Sequence, residues 1–231
     1  DYNNPDEMVG SLGGIDRLLL ISSSEIGERA RQHSNAINAA KKAGVKWVVY
    51  TSLLHADTTS VNLAGEHLAS EMALKESGLD YTILRNGWYT ENYTASIQGA
   101  ISAGSFVGSA GNGKISSATR ADFAEAAAVV VAGEGHTGKV YELAGDEAYT
   151  LTDLAAEITK QSGKNIPYNN LPENEYAAIL KNIGLPEFFA EAIASWDTSV
   201  SKGDLYDDSK QLSKLTGKAT TSLSEAVAAV L

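Results

Sequence analysis

The fold class is decided by residues 46–84, where two short apolar segments flank a longer helical one. Residues 46–50 have the sequence KWVVY, residues 63–76 LAGEHLASEMALKE and residues 80–84 DYTIL. A continuous apolar run that ends in polar residues is typical of a strand buried on both faces, as in parallel sheets. Strand, helix and strand in this order predict a right-handed βαβ unit.

The same alternation continues outward on both sides of this unit. An earlier strand is predicted at residues 17–21 (RLLLI), followed by a helix over 28–42 that ends at Gly44. The sequence therefore predicts an α/β fold, a Rossmann-like parallel sheet with helices on both faces, followed by a smaller and mostly helical C-terminal lobe. Further helices are predicted over 92–103, 120–132 and 150–161, extended segments at 106–107 and near 115, and a strand over 140–143.

Composition limits the classes of function. The 231 residues include 18 Lys and Arg against 29 Asp and Glu, so the formal net charge is −11, and there is no cysteine. An acidic surface repels phosphate backbones, which disfavours nucleic acid as a partner. Without cysteine there are no disulfides, thiolate metal sites or cysteine nucleophiles. No apolar run approaches the roughly 20 residues that span a bilayer, and no signal peptide opens the sequence, so we expect a soluble, cytoplasmic protein without membrane contact.

Polar residues follow three predicted strands at the point where each strand ends. These segments are residues 22–25 (SSSE), 51–55 (TSLLH) and 86–91 (NGWYTE). In open parallel sheets, ligands bind at the carboxyl ends of the strands. Such residues also satisfy the backbone of turns, but three segments in register favour a ligand-binding crevice. Residues 120–122 (RAD) open a helix, where Asp122 either complements the helix dipole or helps to shape the pocket.

A Gly-rich segment matches part of the P-loop pattern but lacks essential features of it. Residues 108–114 (GSAGNGK) fit the pattern, yet Ile115 stands where a Ser or Thr would hold Mg²⁺. The following residues have an extended pattern, whereas a P-loop opens a helix. We predict a Gly-rich hairpin turn here.

Other catalytic patterns are coincidental or absent. Residues 206–210 (YDDSK) match the Tyr-x-x-x-Lys pair of short-chain dehydrogenases, but that pair belongs on the helix that follows Ser52. There is no Gly-x-Ser-x-Gly elbow of a hydrolase. The four histidines, His33, His55, His67 and His136, lack the spacing of metal ligands, so no metal site is expected.

Four longer segments together carry a specific resemblance. Residues 18–24 (LLLISSS), 50–56 (YTSLLHA), 84–92 (LRNGWYTEN) and 117–122 (SATRAD) resemble NmrA-like atypical short-chain dehydrogenases/reductases. The similarity is closest to type 2 NAD(P)H:quinone oxidoreductases and extends over the whole chain. It implies an NAD(P)-binding Rossmann-like body over 1–146 and a C-terminal substrate lobe, mainly 147–231, which shares one core with the body and closes a pocket over the nicotinamide.

The resemblance also implies a cofactor, a substrate and the residues that hold them. The cofactor is NADPH, with NADH as an alternative and with neither flavin nor metal, the substrate is a quinone, and a homodimer is suggested. His55, Tyr89 and Tyr93 are the candidates for the quinone side of the pocket, and no catalytic residue is identified with certainty. The implied cofactor-binding residues are Ser22, Ser23, Ser24, Thr51, Ser52, Asn86, Gly87, Trp88, Tyr89, Thr90 and Glu91.

The start of the chain departs from the family pattern. These proteins begin with a strand, a GxxGxxG turn, a helix and a second strand, whereas residues 10–14 (GSLGG) lack that spacing and follow no strand. Asp1 and Tyr2 resemble the end of the family's third strand. We therefore expect the sheet to lack its first strands and this chain to bind NADPH weakly, because the GxxGxxG turn holds the pyrophosphate. Ordinary tight binding in a fluorescence titration would overturn that expectation.

The resemblance places His67 and Glu71 where active short-chain dehydrogenases have Tyr and Lys. Alcohol–ketone interconversion would then lack its general acid. Reduction of a quinone gives a phenolate-like anion, and phenols have a pKa near 10, so water can protonate it. The substitution therefore favours direct hydride transfer from NADPH to a quinone in the intact protein, whereas the present chain is expected to bind NADPH weakly or not at all. The alternatives are a dinucleotide-binding redox sensor without turnover, which also fits the missing pair, and a sugar-nucleotide epimerase, which the missing pair disfavours.

Overall fold

The computed structural model describes residues 1–231, which form two compact units. The first unit consists of residues 1–86 and 123–143, and the second of residues 87–122 and 144–231. The sequence division placed 87–122 with the first 146 residues, whereas these residues cluster with the C-terminal part. The chain enters the second unit after Asn86 and returns to the first for 123–143 only.

Strands and helices alternate along the first two thirds of the chain and give way to helices afterwards. The strands are β1 (Arg17–Leu20), β2 (Trp47–Leu53), β3 (Asp80–Asn86), β4 (Phe106–Gly108), β5 (Val140–Leu143) and β6 (Tyr168–Asn170). The helices are α1 (Pro5–Ser11), α2 (Arg29–Ala43), α3 (Ala64–Glu76), α4 (Glu91–Thr94), α5 (Ile97–Ala103), α6 (Arg120–Ala132), α7 (Leu151–Ser162), α8 (Glu173–Asn182), α9 (Glu187–Ser201), α10 (Gln211–Thr216) and α11 (Leu223–Ala228).

The first unit is built on a parallel sheet with the strand order β1-β2-β3-β5. Every neighbouring pair is parallel, and β2 is buried along its whole length, as its continuous apolar sequence predicts. With helices on both sides, this is the predicted Rossmann-like fold. The register pairs Leu53 of β2 with Asn86 of β3, so both strands end at the same edge of the sheet.

Helices α2 and α3 cover this sheet largely where the sequence predicts them. Helix α2 ends at Gly44, which has a left-handed φ of 84° and places its N–H on the last carbonyls of the helix. Buried Ala36, Ile37 and Ala40 of α2 pack in one cluster with Val48 and Tyr50 of β2. The short helix α1 was not predicted from the sequence. Its N-cap Asn4 makes no side-chain capping bond, and none of its residues is buried.

The second unit is mainly helical and carries one small parallel sheet, β4 paired with β6. The prediction of a hairpin at residues 108–114 was wrong, because the residues on either side of the turn do not pair with each other. Phe106–Gly108 pair with β6, and Ile115 bridges to Tyr149. No helix follows the turn, in agreement with the rejection of a P-loop.

Two further features of the second unit bear on its sequence signals. The helix predicted over 92–103 is two helices, α4 and α5, separated at residues 95–96. Thr150 caps α7 in a reciprocal capping box with Asp153, as the Thr-Leu-Thr-Asp sequence indicates. None of the helices in either unit has the length and apolarity that crossing a bilayer demands.

Candidate functional site

In the first unit, the carboxyl ends of β1 and β2 meet through their polar residues. The Ser22 N–H donates to Thr51 Oγ1 at 2.9 Å, which joins the residue after β1 to the interior of β2. Ser52 donates from its hydroxyl to Glu71 Oε1 at 2.7 Å. Thr51 and Ser52 are both buried, whereas Ser22 is half-buried and Ser24 is exposed. The structure therefore brings Ser22 and Thr51 together, as the strand-end rule predicts.

Side chains of helix α2 form hydrogen bonds with the turn after β1. The Ser23 N–H donates to His33 Nε2 at 2.9 Å, and its hydroxyl donates to Gln32. Arg29 donates from Nε to the Ser23 carbonyl at 2.6 Å, while its buried Nη1 has no hydrogen-bond partner. That Nη1 lies 3.8 Å from Glu66 Oε2, so the Arg29 charge is paired with a carboxylate beside the 22–24 turn.

Asn86 ends β3 and leaves a second polar atom unsatisfied. Its side chain is 7% exposed, and its Oδ1 has no hydrogen-bond partner. Its carbonyl accepts from the Leu54 N–H at 2.9 Å, which fixes the chain after β2 beside it. A buried amide oxygen without a donor costs about 1–3 kcal/mol, a cost that a ligand N–H removes.

A buried ionic network underlies the same edge of the sheet. Arg85 donates from Nε and Nη2 to both oxygens of Glu71, each at 2.9 Å. Its Nη1 reaches Glu142 at 2.9 Å and Asp57 at 3.0 Å. Burial acts to raise the pKa of Glu71, but hydrogen bonds from Arg85 and Ser52 outweigh it, and the pKa is lowered. Glu71 is therefore ionised and committed to Arg85.

The network also holds the loop that carries His55. The second oxygen of Glu142 accepts the His55 N–H at 2.9 Å, so Arg85 and Glu142 together fix this backbone. His55 has a left-handed φ of 51°, one of two such non-glycine residues in the chain. A residue in this sparsely populated region is kept there by its surroundings.

Two histidines of the first unit are buried in neutral form. His33 Nδ1 lies 2.8 Å from Ser70 Oγ, and His67 Nδ1 lies 2.9 Å from the Tyr50 hydroxyl. Burial, assisted by the Arg29 charge, lowers the pKa of His33 to about 4 and that of His67 to about 3. His67 therefore has no proton to donate near neutral pH and does not replace the Tyr of a short-chain dehydrogenase as an acid.

In the second unit, the segment Gly87–Glu91 is tied to the residues before α6. Thr90 Oγ1 lies 2.8 Å from Ser117 Oγ, which is itself 2.7 Å from the Tyr149 hydroxyl. The Arg120 guanidinium carbon stands 4.6 Å from the centre of the Tyr89 ring, a cation–π contact. Glu91 accepts the Arg120 N–H at the start of α6 at 2.9 Å.

The structure assigns different contacts to Arg120 and Asp122, the two charged residues of the segment 120–122. Asp122 Oδ2 accepts from the Thr119 N–H at 3.0 Å, as an acid in the first turn of α6 should. Arg120 instead lines a cavity of about 630 Å³ in the second unit. Asp122 therefore caps helix α6, and Arg120 contributes to the wall of the cavity.

That cavity has aromatic and apolar walls and one deeply buried carboxyl group. Trp88 and Trp196 meet edge to face with ring centres 5.5 Å apart. Tyr93 donates its hydroxyl to Asp197 Oδ1 at 3.3 Å, and both side chains are buried. The residues that line it are Trp88, Glu91, Asn92, Tyr93, Ala95, Ser96, Phe106, Arg120, Tyr176, Leu180, Ile183, Leu185, Ile193, Trp196 and Asp197.

Asp197, Trp196 and Arg29 were not identified from the sequence. For Asp197 a signal is present, because it lies three residues after Ala194 and seven after Ala190, both buried, on the apolar face of α9. A carboxylate on the buried face of a helix is uncommon and indicates a polar partner or a function. The contacts of Arg29 with Ser23 and Glu66 depend on tertiary geometry and have no sequence signal. No group of three or more His, Asp and Glu side chains is placed to hold a metal ion.

The Rossmann-like sheet and its strand-end residues define a dinucleotide-binding protein, and comparison with known proteins agrees. The chain belongs to the NAD(P)H-binding family, whose pattern matches residues 1–155.

Individual known proteins are similar to this chain over nearly all of its length. Quinone oxidoreductase 2 of Escherichia coli is 59% identical over 98% of this chain and 79% of its own length. The crystal structure of the NADPH-dependent E. coli enzyme in complex with NADPH superposes with a TM-score of 0.97, covering 99% of this chain and 81% of that chain at 58% identity. A Citrobacter triphenylmethane reductase complexed with NADP(H) gives a TM-score of 0.96 at 35% identity, covering 100% of this chain and 82% of that chain.

Proposed function

We propose that this protein reduces quinones with NADPH by direct hydride transfer, without flavin or metal. The observation that carries the proposal is the 59% identity, over nearly all of this chain, to a protein named quinone oxidoreductase 2. The cofactor is supported by the E. coli structure that contains NADPH and by the match to the NAD(P)H-binding family.

The residues of this chain fit a dinucleotide. Three buried side-chain atoms have no hydrogen-bond partner, on Arg29, Asn86 and Ser109, and of these Arg29 Nη1 is ion-paired with Glu66. The Asn86 oxygen suits an amide N–H such as that of the nicotinamide carboxamide. Ser22, Thr51 and Ser52 add polar groups at the strand ends, the usual ligand position of such sheets.

Bound NADPH would supply the hydride. The chain's own residues would hold and orient the ring and exclude water, with Asn86 and the segment Gly87–Glu91 around the nicotinamide. Of the three candidates for the quinone side, Tyr93 lines the cavity of the second unit, whereas His55 and Tyr89 do not. His67 and Glu71 cannot act as a dehydrogenase acid and base, because His67 is neutral and Glu71 is bonded to Arg85. This arrangement disfavours alcohol oxidation and is compatible with quinone reduction.

Steady-state oxidation of NADPH with benzoquinone-type acceptors tests the proposal. We expect turnover that depends on the quinone and is unchanged by added flavin. Tight NADPH binding without turnover of any quinone would favour the redox sensor instead, and a requirement for flavin would exclude direct transfer.

A cytoplasmic location stays a prediction from the sequence, and the homodimer stays an expectation from the family resemblance. Size-exclusion chromatography with light scattering would test the second directly.

A further inference from the structure

We propose that Asp197, acting through the Tyr93 hydroxyl, delivers a proton to the reduced quinone, and that the cavity of the second unit is the quinone site. This inference rests on the proposed function and adds to it a specific proton source, which the first unit lacks. The cavity holds about 630 Å³, enough for a substituted benzoquinone or naphthoquinone.

The walls of the cavity suit a flat aromatic molecule. Trp88, Trp196, Tyr176 and Phe106 provide rings, and leucine and isoleucine side chains of α8, α9 and the turn between them add apolar surface. Two of its residues, Trp88 and Glu91, belong to the segment that the family resemblance places around the nicotinamide. The cavity therefore shares residues with a segment that the resemblance assigns to the cofactor.

The carboxyl group of Asp197 is held by hydrogen bonds to both of its oxygens. Its Oδ2 accepts the Ser109 N–H at 2.9 Å, and its Oδ1 accepts the Tyr93 hydroxyl at 3.3 Å. A Cβ on Gly108 would lie 2.6 Å from Asp197 Oδ2, so only glycine lets the backbone approach the carboxyl this closely. The buried Ser109 hydroxyl beside it has no hydrogen-bond partner.

No cation neutralises Asp197. The titratable groups that face it are the hydroxyls of Tyr93, Tyr168 and Tyr176, while Arg120 and Glu91 stand elsewhere on the cavity wall. Burial raises the pKa of Asp197 to about 6, and that of Tyr93 well above the ordinary value. A carboxyl with such a pKa keeps a substantial protonated fraction near pH 6 and is a stronger acid than a hydroquinone.

The proton balance follows from these groups. Hydride addition places two electrons and one proton on the quinone and leaves a negative charge on one oxygen. Tyr93 gives its hydroxyl proton to that oxygen, and the protonated carboxyl of Asp197 replaces the proton on Tyr93. The Asp197 carboxylate then takes a proton from water, so each turnover consumes one proton and yields a neutral hydroquinone.

Asp197→Asn, Tyr93→Phe and a control, Glu191→Gln on the exposed face of the same helix, test this inference with a graded series of quinones. With electron-rich quinones, whose hydroquinones are weak acids, we expect Asp197→Asn to lower kcat about 100-fold. With chlorine-substituted quinones, whose hydroquinones ionise readily, the loss should nearly disappear. Tyr93→Phe should show the same selectivity, and Glu191→Gln none. An equal loss across the series would indicate a structural role and overturn the inference.

A second measurement needs neither NADPH nor turnover. Carbon-13 NMR of the carboxyl groups, with Asp197→Asn to identify the resonance, should show Asp197 titrating near pH 6. Added hydroquinone should shift that titration. An unchanged titration would contradict the inference whatever the activities of the two variants. Absence of quinone reduction by the full-length protein at saturating NADPH would instead refute the proposed function, so the two failures are distinguishable.

Discussion

The ion pair between Glu71 and Arg85 is buried at the carboxyl end of the first unit's sheet. Glu71 is 1% exposed and accepts from Arg85 and Ser52, so its carboxylate is fully used in structural contacts. The pair fixes Arg85, which in turn holds Glu142 and the backbone of His55. Its role here is therefore to position the loop after β2.

Glu71→Gln should destabilise the fold by about 2 kcal/mol, because a buried charge on Arg85 loses its bidentate partner. Urea denaturation near neutral pH measures this loss. Glu76→Gln, an exposed position at the end of the same helix, should change the free energy of unfolding by less than about 0.5 kcal/mol. Equal effects at the two positions would show that the pair contributes no specific stability.

The buried histidines predict how stability depends on pH. Their pKa values in the folded state lie at about 4 for His33 and about 3 for His67, below the ordinary 6.5. Below pH 6.5 the unfolded chain therefore binds protons that the folded chain does not, and stability falls as the pH is lowered toward 4. Asp197 acts in the opposite sense, since its raised pKa favours the folded state in acid.

His67→Gln isolates one part of this dependence. The variant loses stability near neutral pH, but its deficit relative to the unmodified protein should shrink by about 1–2 kcal/mol between about pH 7.5 and about pH 5. Denaturation midpoints across this pH range measure the change. A deficit that stays constant would mean that His67 titrates normally in the folded state.

At the scale of elements, regular sequence patterns predicted regular structure. Helix α6 and strand β5 have the predicted bounds, because an Ala-rich run and a short apolar run have few competing conformations. The helix over 92–103 divides at residues 95–96, and β6 was missed, since three residues with only partial burial carry no periodic signal. The hairpin prediction for residues 108–114 was wrong because β4 pairs with β6, which is distant in the chain. Local sequence does not encode such a pairing.

The capping box of α7 gives an element-scale prediction. Thr150→Ala removes the side-chain acceptor of the Asp153 N–H and should cost about 1 kcal/mol. Thr152→Ala, two residues later on the exposed side of the same helix, keeps the cap and should be neutral or slightly stabilising. Thermal denaturation of the two variants compares them, and an equal loss would exclude a capping role for Thr150.

At the scale of the whole molecule, the polar residues at the strand ends follow from the sequence, whereas the cavity around Asp197 does not. Ser22, Thr51 and Asn86 follow from the rule that parallel strands present ligands at their carboxyl ends. Asp197 lies 104 residues after Tyr93 in the chain, so no local pattern links the two side chains. The grouping of residues 87–122 with the C-terminal part depends on tertiary contacts, which no local sequence pattern encodes.

The central claim is direct hydride transfer from NADPH to a quinone. Its sharpest test measures the oxidation of NADPH deuterated in turn on each face of C4, with benzoquinone as acceptor and with the protein freed of flavin. We predict that one hydroquinone forms per NADPH consumed and that turnover is slower with deuterium on one face only. Added flavin should leave the rate unchanged. Equal rates with both deuterated forms, or turnover only with added flavin, would contradict it.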